Sequence, residues 1–298
     1  MAPIAQQPPE ISSPKEFDYL LERIAEAPFE TEPFRHLYLE DFLSPDHLSA
    51  VVTSSQVKVP PASSTPELLT LLEAAGYDIE PFPGCTTDVP KYLEYLHSGE
   101  WPESNGVVEG IGIAMRLRRV TDPLINRLLA FLNGGRFHAA LAAKFGVERP
   151  NRIETAIQKY LSGYEISPHP DIRSKCLTYL LNINTDPEAD RLPIHTQLLR
   201  LIRRKEFIYS FWDTNPEFDR CWVPWSWCTS ERVTSTNNSI LLFSAHNRSL
   251  HAIKLKYDHT RFQRTQVYGN LWYTDVPFAA GYSMNYKQFD FQLPAQQP

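Results

Sequence analysis

Residues 160–171 read Tyr160-Leu161-Ser162-Gly163-Tyr164-Glu165-Ile166-Ser167-Pro168-His169-Pro170-Asp171, and the end of this stretch decides how the chain is read. On an extended strand, positions i and i+2 project to the same face, so the imidazole of His169 and the carboxylate of Asp171 can converge on one point. With a distant histidine they make a two-histidine, one-carboxylate set that leaves coordination positions of a non-haem iron open. Alone, the triplet is weak: the chain holds 9 histidines, and a surface histidine beside a loop aspartate is spelled the same way.

The context downstream adds weight. Asn238-Ser239-Ile240-Leu241-Leu242-Phe243 reads as a buried strand, Ser244–Arg248 as a polar turn, and Leu250-His251-Ala252-Ile253-Lys254-Leu255 as a further strand. There His251 shares a face with Ile253, Leu255 and Tyr257, so it points with the apolar side. A lone inward histidine is ordinarily a satisfied core residue, but the triplet gives this one partners. His246 is the rival, placed in the polar turn. The next strand puts Arg264, Gln266, Tyr268, Asn270 and Trp272 on one face. A polar face deep in a fold marks a pocket, and a buried arginine keeps its charge and grips a carboxylate bidentately. Arg261, in the preceding turn, suits a surface ion pair. Tyr160 is a second candidate for that carboxylate, set against the plainer reading of core packing.

The organisation is helices first, strands afterwards. Ser13-Pro14, Ser44-Pro45, Thr65-Pro66 and Asp122-Pro123 open helices, Gly76 and Asn133-Gly134 close two of them, and a fifth runs from about Phe137 to Phe145 before Gly146. His36–Leu39 is short and β-like. Ile166 onward, Leu177–Asn184, Ser239–Phe243, Leu250–Tyr257 and Thr265–Tyr273 are strand-like. The expectation is an α+β arrangement in a single domain over 14–290, with a helical layer mainly over 14–148 and a strand core over about 150–275. Residues 1–13 are expected to be a disordered lead-in and 291–298 a C-terminal tail.

Composition narrows the function classes. The 298 residues are 42% hydrophobic and 21% charged, as in an ordinary globular protein. A net charge of −6 argues against a nucleic-acid partner. No apolar run suits a membrane span, and the N-terminus does not read as a secretory signal. Cys85, Cys176, Cys221 and Cys228 form no CxxC pair, so reduced thiols in a cytoplasmic protein are expected.

Together, Tyr160-x2-Gly163-x5-His169-x-Asp171, then Leu177–Asn182, Asn238–Phe243 with His251, and Arg264 resemble the iron(II)- and 2-oxoglutarate-dependent oxygenase superfamily. Leu37-Tyr38-Leu39-Glu40-Asp41-Phe42-Leu43-Ser44 is similar to the opening strand and helix of its prolyl-hydroxylase-like branch, so the resemblance spans roughly residues 36 to 273. It implies a distorted double-stranded β-helix, a cupin-like jelly roll, flanked by N-terminal helices. It implies iron(II) on His169, Asp171 and His251, and 2-oxoglutarate with its distal carboxylate on Arg264, helped by Tyr160. Dioxygen is the other cosubstrate. The expected outcome is oxidation, most simply hydroxylation, of an unactivated C–H bond, with release of succinate and carbon dioxide.

Two departures bear on this. Asp171 stands where halogenating members lack a carboxylate, which argues against halogenation. The glycine-rich acidic segment common after the metal strand is replaced by a stretch carrying Trp212, Trp222, Trp225 and Trp227. That stretch is either a lid that helps choose the substrate, with Trp222 and Trp225 as contacts, or an aromatic satellite core. Arg173 is a further substrate candidate. A small-molecule substrate is expected; a peptidyl hydroxylase and a non-catalytic cupin-like metal-binding protein are the alternatives, and the oligomeric state is left open.

Overall fold

Side-chain caps start most helices of the first half where the sequence places them. In the computed structural model, which describes residues 14–81, 85–99, 112–217, 219–220 and 222–275, the chain opens with a 3-10 turn at Lys15–Phe17 and α1 (Tyr19–Glu26). Strand β1 (His36–Leu39) and α2 (Pro45–Thr53) follow, then α3 (Thr65–Ala74), β2 (Tyr77–Ile79), α4 (Val89–Ser98), β3 (Ala114–Leu117), α5 (Pro123–Leu132) and α6 (Gly135–Phe145). The Ser44, Ser64, Asp88 and Asp122 side chains accept backbone amides of the first turns of α2, α3, α4 and α5, each with proline at the helix start. The cap of α3 is Ser64, one residue before the expected Thr65. Helix α4 is an addition to the sequence reading, although Asp88, Pro90 and the left-handed Gly99 are its ordinary punctuation. The expected lead-in 1–13, the tail 291–298 and Cys221 lie outside the described residues.

The second half supplies the remaining strands: β4 (Asn151–Tyr160), β5 (Glu165–His169), β6 (Lys175–Asn182), β7 (Gln197–Leu201), β8 (Cys228–Val233), β9 (Ile240–Ser244), β10 (His251–Lys254) and β11 (Arg264–Tyr273), with α7 (Phe207–Thr214) between β7 and β8. They form a 7-stranded sheet in the order β1-β9-β6-β11-β4-β3-β2 and a 4-stranded sheet in the order β5-β10-β7-β8, all pairs antiparallel. Helices and two facing antiparallel sheets that do not close into a barrel match the expected distorted jelly roll. Strands β2, β3, β7 and β8 are absent from the sequence reading, which gives no bounds for β4 either. Among the described residues no helix is long and apolar enough to cross a membrane.

Alternation in the central strands sorts the two faces of the large sheet. Ile157, Leu177, Tyr179, Leu181, Ile240, Leu242, Val267 and Leu271 join the helices in the main hydrophobic core. Tyr160, Thr178, Leu180, Arg264, Gln266 and Tyr268 face the small sheet across a cavity. The small sheet's own outer cluster joins Leu199, Leu201, Leu250 and Ala252 to Tyr209, Trp212 and Val223 of the tryptophan-bearing segment.

On the helical side of β11, the ring of Tyr179 lies where a side chain at Gly269 would begin. A Cβ there would stand 1.9 Å from the Tyr179 ring, and Tyr179 is fully buried with its hydroxyl bonded to Thr155. Gly269→Ala is therefore expected to lower stability by about 1–3 kcal/mol through overpacking. Chemical denaturation checks this; an unchanged midpoint would contradict the packing.

Candidate metal centre

Antiparallel pairing of β5 with β10 brings the two histidines together: His251 lies directly opposite His169, with ring centroids 4.4 Å apart. Strand β5 is the edge of the small sheet, which is why Pro168 and Pro170 are tolerated on either side of His169. The strand ends at His169, so Asp171 lies in the connection to β6 rather than two places along a continuing strand. It still reaches the same point, its carboxylate oxygens standing 4.0 Å from the Nε2 atoms of both His169 and His251.

Each imidazole is oriented by its own backbone. His169 Nδ1 pairs with the Ser167 carbonyl at 2.8 Å and His251 Nδ1 with the Ser249 carbonyl at 3.0 Å. A carbonyl accepts only from N–H, so each ring keeps its proton on Nδ1 and turns the lone pair of Nε2 inward, the arrangement metal-binding histidines adopt. Burial, with His251 alongside, pushes His169 down to about 3, and burial also lowers His251. Burial pushes the Asp171 carboxyl up, but Lys175 and the two imidazoles outweigh it and hold the group below the usual carboxylate range. Neutral imidazoles and an ionised carboxylate are the protonation states a metal requires. Ligand atoms of all three residues lie within 4.8 Å of one another, and the nitrogen–oxygen set suits a non-haem divalent iron. His246, the rival, contacts the Phe34 ring and stays outside this cluster.

Two residues absent from the sequence reading hold the carboxylate. Lys175 Nζ donates to Asp171 Oδ1 at 2.6 Å, and Thr178 Oγ1 donates to Oδ2 at 2.5 Å. Strict alternation would set Lys175 and Thr178 on opposite faces of β6. The register with β11 slips between Leu271 and Trp272, so Cys176 is an extra residue and both side chains reach the cavity. The signal available in the sequence was a lysine leading an otherwise apolar strand.

At the far end of the same cavity stands Arg264, 2% exposed. Its Nη2 donates to Thr196 Oγ1 at 3.2 Å, its guanidinium lies 4.8 Å from the Tyr160 ring centre, and its Nε meets no acceptor among the described residues. Tyr160 pairs across the sheet with Arg264 and lines the cavity. The orientation of the Gln158 amide that satisfies its neighbours sets its carbonyl on Arg116 at 2.9 and 3.0 Å and its NH2 on the Tyr160 hydroxyl at 2.5 Å. The Tyr160 proton is then directed away from Gln158. The polar face of β11 read from the sequence lines the cavity at Arg264, Gln266, Tyr268 and Trp272, while the Asn270 side chain stands 3.2 Å from the Thr178 hydroxyl.

None of the three expected substrate contacts lines this cavity. Arg173 donates to the carbonyls of Trp212 at 2.8 Å and Asn215 at 3.4 Å, binding the end of α7 to the metal loop. Trp225 Nε1 donates to Glu165 at 2.7 Å, and Trp222 packs on the cluster that holds Tyr160, Ile166 and Ile253. The Val223 amide donates to the Pro168 carbonyl at 2.8 Å. The segment thus braces the strand that carries His169.

No protein-family model matches the sequence, and no curated protein matches it. Among solved structures, the chain is similar to a prolyl-4-hydroxylase of Pseudomonas putida, at 9% identity over 86% of this chain and 98% of that one, with a TM-score of 0.39. It is similar to a prolyl hydroxylase in complex with a hypoxia inducible factor oxygen degradation domain peptide fragment from Trichoplax adhaerens, at 10% identity over 87% and 89%, TM-score 0.34. A third is HygX from Streptomyces hygroscopicus with nickel, 2-oxoglutarate and hygromycin B bound, at 12% identity over 71% and 88%, TM-score 0.31.

Burying neutral imidazoles has a consequence for the metal-free protein. His169 is held at about 3 and His246 and His259 at about 4, chiefly by burial. All lie below the ordinary histidine value of about 6.5. As pH falls past that value the unfolded chain binds more protons than the folded one, so stability declines, by up to about 1.4 kcal/mol per unit for each group. In the presence of chelator, the melting temperature should fall steadily as the pH is lowered from about 6.5 to 4. A flat profile over that window would contradict the buried neutral state.

Proposed function

We propose that this protein is an iron(II)- and 2-oxoglutarate-dependent oxygenase that oxidises, most simply by hydroxylation, an unactivated C–H bond of a small molecule with release of succinate and carbon dioxide. The observation that carries this reading is a single cavity with the triad of His169, Asp171 and His251 on one wall and the buried cation of Arg264 on another. A metal-binding scaffold has no use for a buried guanidinium facing its metal. A dicarboxylate that chelates the metal through one end needs a cation for the other.

Iron(II), bound with 2-oxoglutarate and dioxygen, supplies the oxidising power to break a C–H bond. The chain's own residues do the rest. Ser167 and Ser249 carbonyls fix the ring orientations of His169 and His251, and Thr178 and Lys175 fix the carboxylate of Asp171. Arg264 anchors the distal carboxylate, and Thr196 sets the angle of its guanidinium. Tyr160, held by Gln158, directs its hydroxyl proton to the same carboxylate. Ile166, Leu180 and Ile253 exclude water from the cavity. Of the described residues that line it, only His169 and Trp272 are more than slightly exposed, which favours a small molecule over an extended peptide. In this reading Trp222, Trp225 and Arg173 act through the wall they support, and no nucleic acid or membrane takes part.

Anaerobic titration tests the assignment. Wild type with iron(II) and 2-oxoglutarate should develop the weak visible charge-transfer band of chelated 2-oxoglutarate, and His251→Ala should abolish it. Arg264→Ala should still bind iron but require about 30-fold or more 2-oxoglutarate, because it removes one partner of a buried charge pair. Iron uptake without the band in wild type would sink the cosubstrate assignment.

A further inference from the structure

Helix α7 carries an outer face that the rest of the fold leaves uncovered. Its inner side packs Tyr209 and Trp212 against Leu199, Leu201 and Leu250 of the small sheet. Its outer side carries Phe207 and Phe211, 59% and 49% exposed, four residues apart and so neighbours on the helix surface. They are two of the three large apolar side chains exposed among the described residues. Ser210 and Thr214, both small and exposed, lie beside the rings and permit a close approach. Adjacent exposed rings form a patch rather than scattered apolar positions, and such patches mark contact surfaces.

The charges at the two ends of the helix indicate what covers that face. Arg203-Arg204-Lys205 lead into α7, and Asp213 and Glu217 lie at its end and just beyond. This is the reverse of what the helix macrodipole favours, with cations at the positive end and carboxylates at the negative one. Only Glu206, at the N-cap, sits favourably. Pairing within the chain does not account for the arrangement. Arg203, Arg204 and Glu217 are exposed and form no ion pair among the described residues. Lys205 lies over the Trp227 ring at 3.9 Å, and Asp213 accepts from Asn247 at 2.5 Å with Arg248 only at 3.8 Å. An aromatic pair with cations before it and carboxylates after it is complementary to its own copy turned by a half rotation. Self-complementarity of that kind is what an isologous contact requires.

We propose that the outer face of α7 is a homodimer contact, on which a second copy of this chain docks antiparallel about a two-fold axis. Phe207 of one protomer packs on the partner's Phe211, and the reverse contact repeats it. At each end Arg203 and Arg204 meet the partner's Glu217 and the partner's Asp213. The charges that oppose the helix dipole within one copy are thereby paired between copies. This interface is separate from the cavity and stands apart from the oxygenase reading above.

Sedimentation equilibrium of the full chain over about 1 to 100 μM tests this. The mass should rise toward twice that of the monomer, and added salt should weaken the association. Phe207→Asp and Phe211→Asp should each raise the dissociation constant about 30-fold or more. Arg203→Glu should raise it about tenfold, and adding Glu217→Arg to that variant should restore association. The proposal is overturned if wild type stays monomeric throughout, or if the dimer survives Phe207→Asp and Phe211→Asp unchanged. It is equally overturned if Arg203→Glu loses nothing, or if the charge swap recovers nothing. Should the phenylalanine variants fail to fold, Arg203→Glu and the swap, both at exposed positions, decide the matter.

Discussion

The pairing that sets His251 across from His169 on the small sheet is the constraint on which the rest of the site depends. The two imidazoles, tilted against each other with ring centres 4.4 Å apart, are both held neutral by burial, and each is pinned by a carbonyl two residues earlier in the chain. The carboxylate that completes the set arrives from the loop after β5. A lysine and a threonine meet its two oxygens, and Lys175 is the largest influence holding it ionised against burial. Remove that support and burial would favour the protonated acid, which is no ligand for a metal.

Other parts of the fold serve this geometry. The helices cover the outer face of the large sheet and leave its inner face free to be polar, as β11 is at Arg264, Gln266 and Tyr268. The tryptophan-bearing segment covers the outer face of the small sheet. Through Arg173, Val223 and Trp225 it bonds to the metal loop, to Pro168 and to Glu165, and so braces an edge strand that prolines have deprived of donors. Edge strands are the least constrained part of a sheet, and this one carries a metal ligand.

Much of this was legible in the sequence. Period-2 alternation placed His251 inward and Arg264 with Tyr268 and Trp272 on one polar face, and the helix starts announced themselves through Ser, Asp and Pro. What was not legible has identifiable causes. Lys175 and Thr178 differ by an odd number of positions, and only the extra residue at Cys176 brings both into the cavity. Strands β7 and β8 lie in the segment where the resemblance to known oxygenases lapses. Their exposed and buried positions do not alternate cleanly, because β8 is an edge with a largely exposed face. Arg173 has the spacing of a residue facing the metal. Its chain turns out of the strand at Pro170, so the parity argument does not reach it.

The most direct test of the account is a crystal structure of the complex with manganese(II) and 2-oxoglutarate. The account predicts the metal on His169 Nε2, His251 Nε2 and one oxygen of Asp171, with the distal carboxylate of 2-oxoglutarate on the Arg264 guanidinium. Metal bound elsewhere, or 2-oxoglutarate seated away from Arg264, would contradict it.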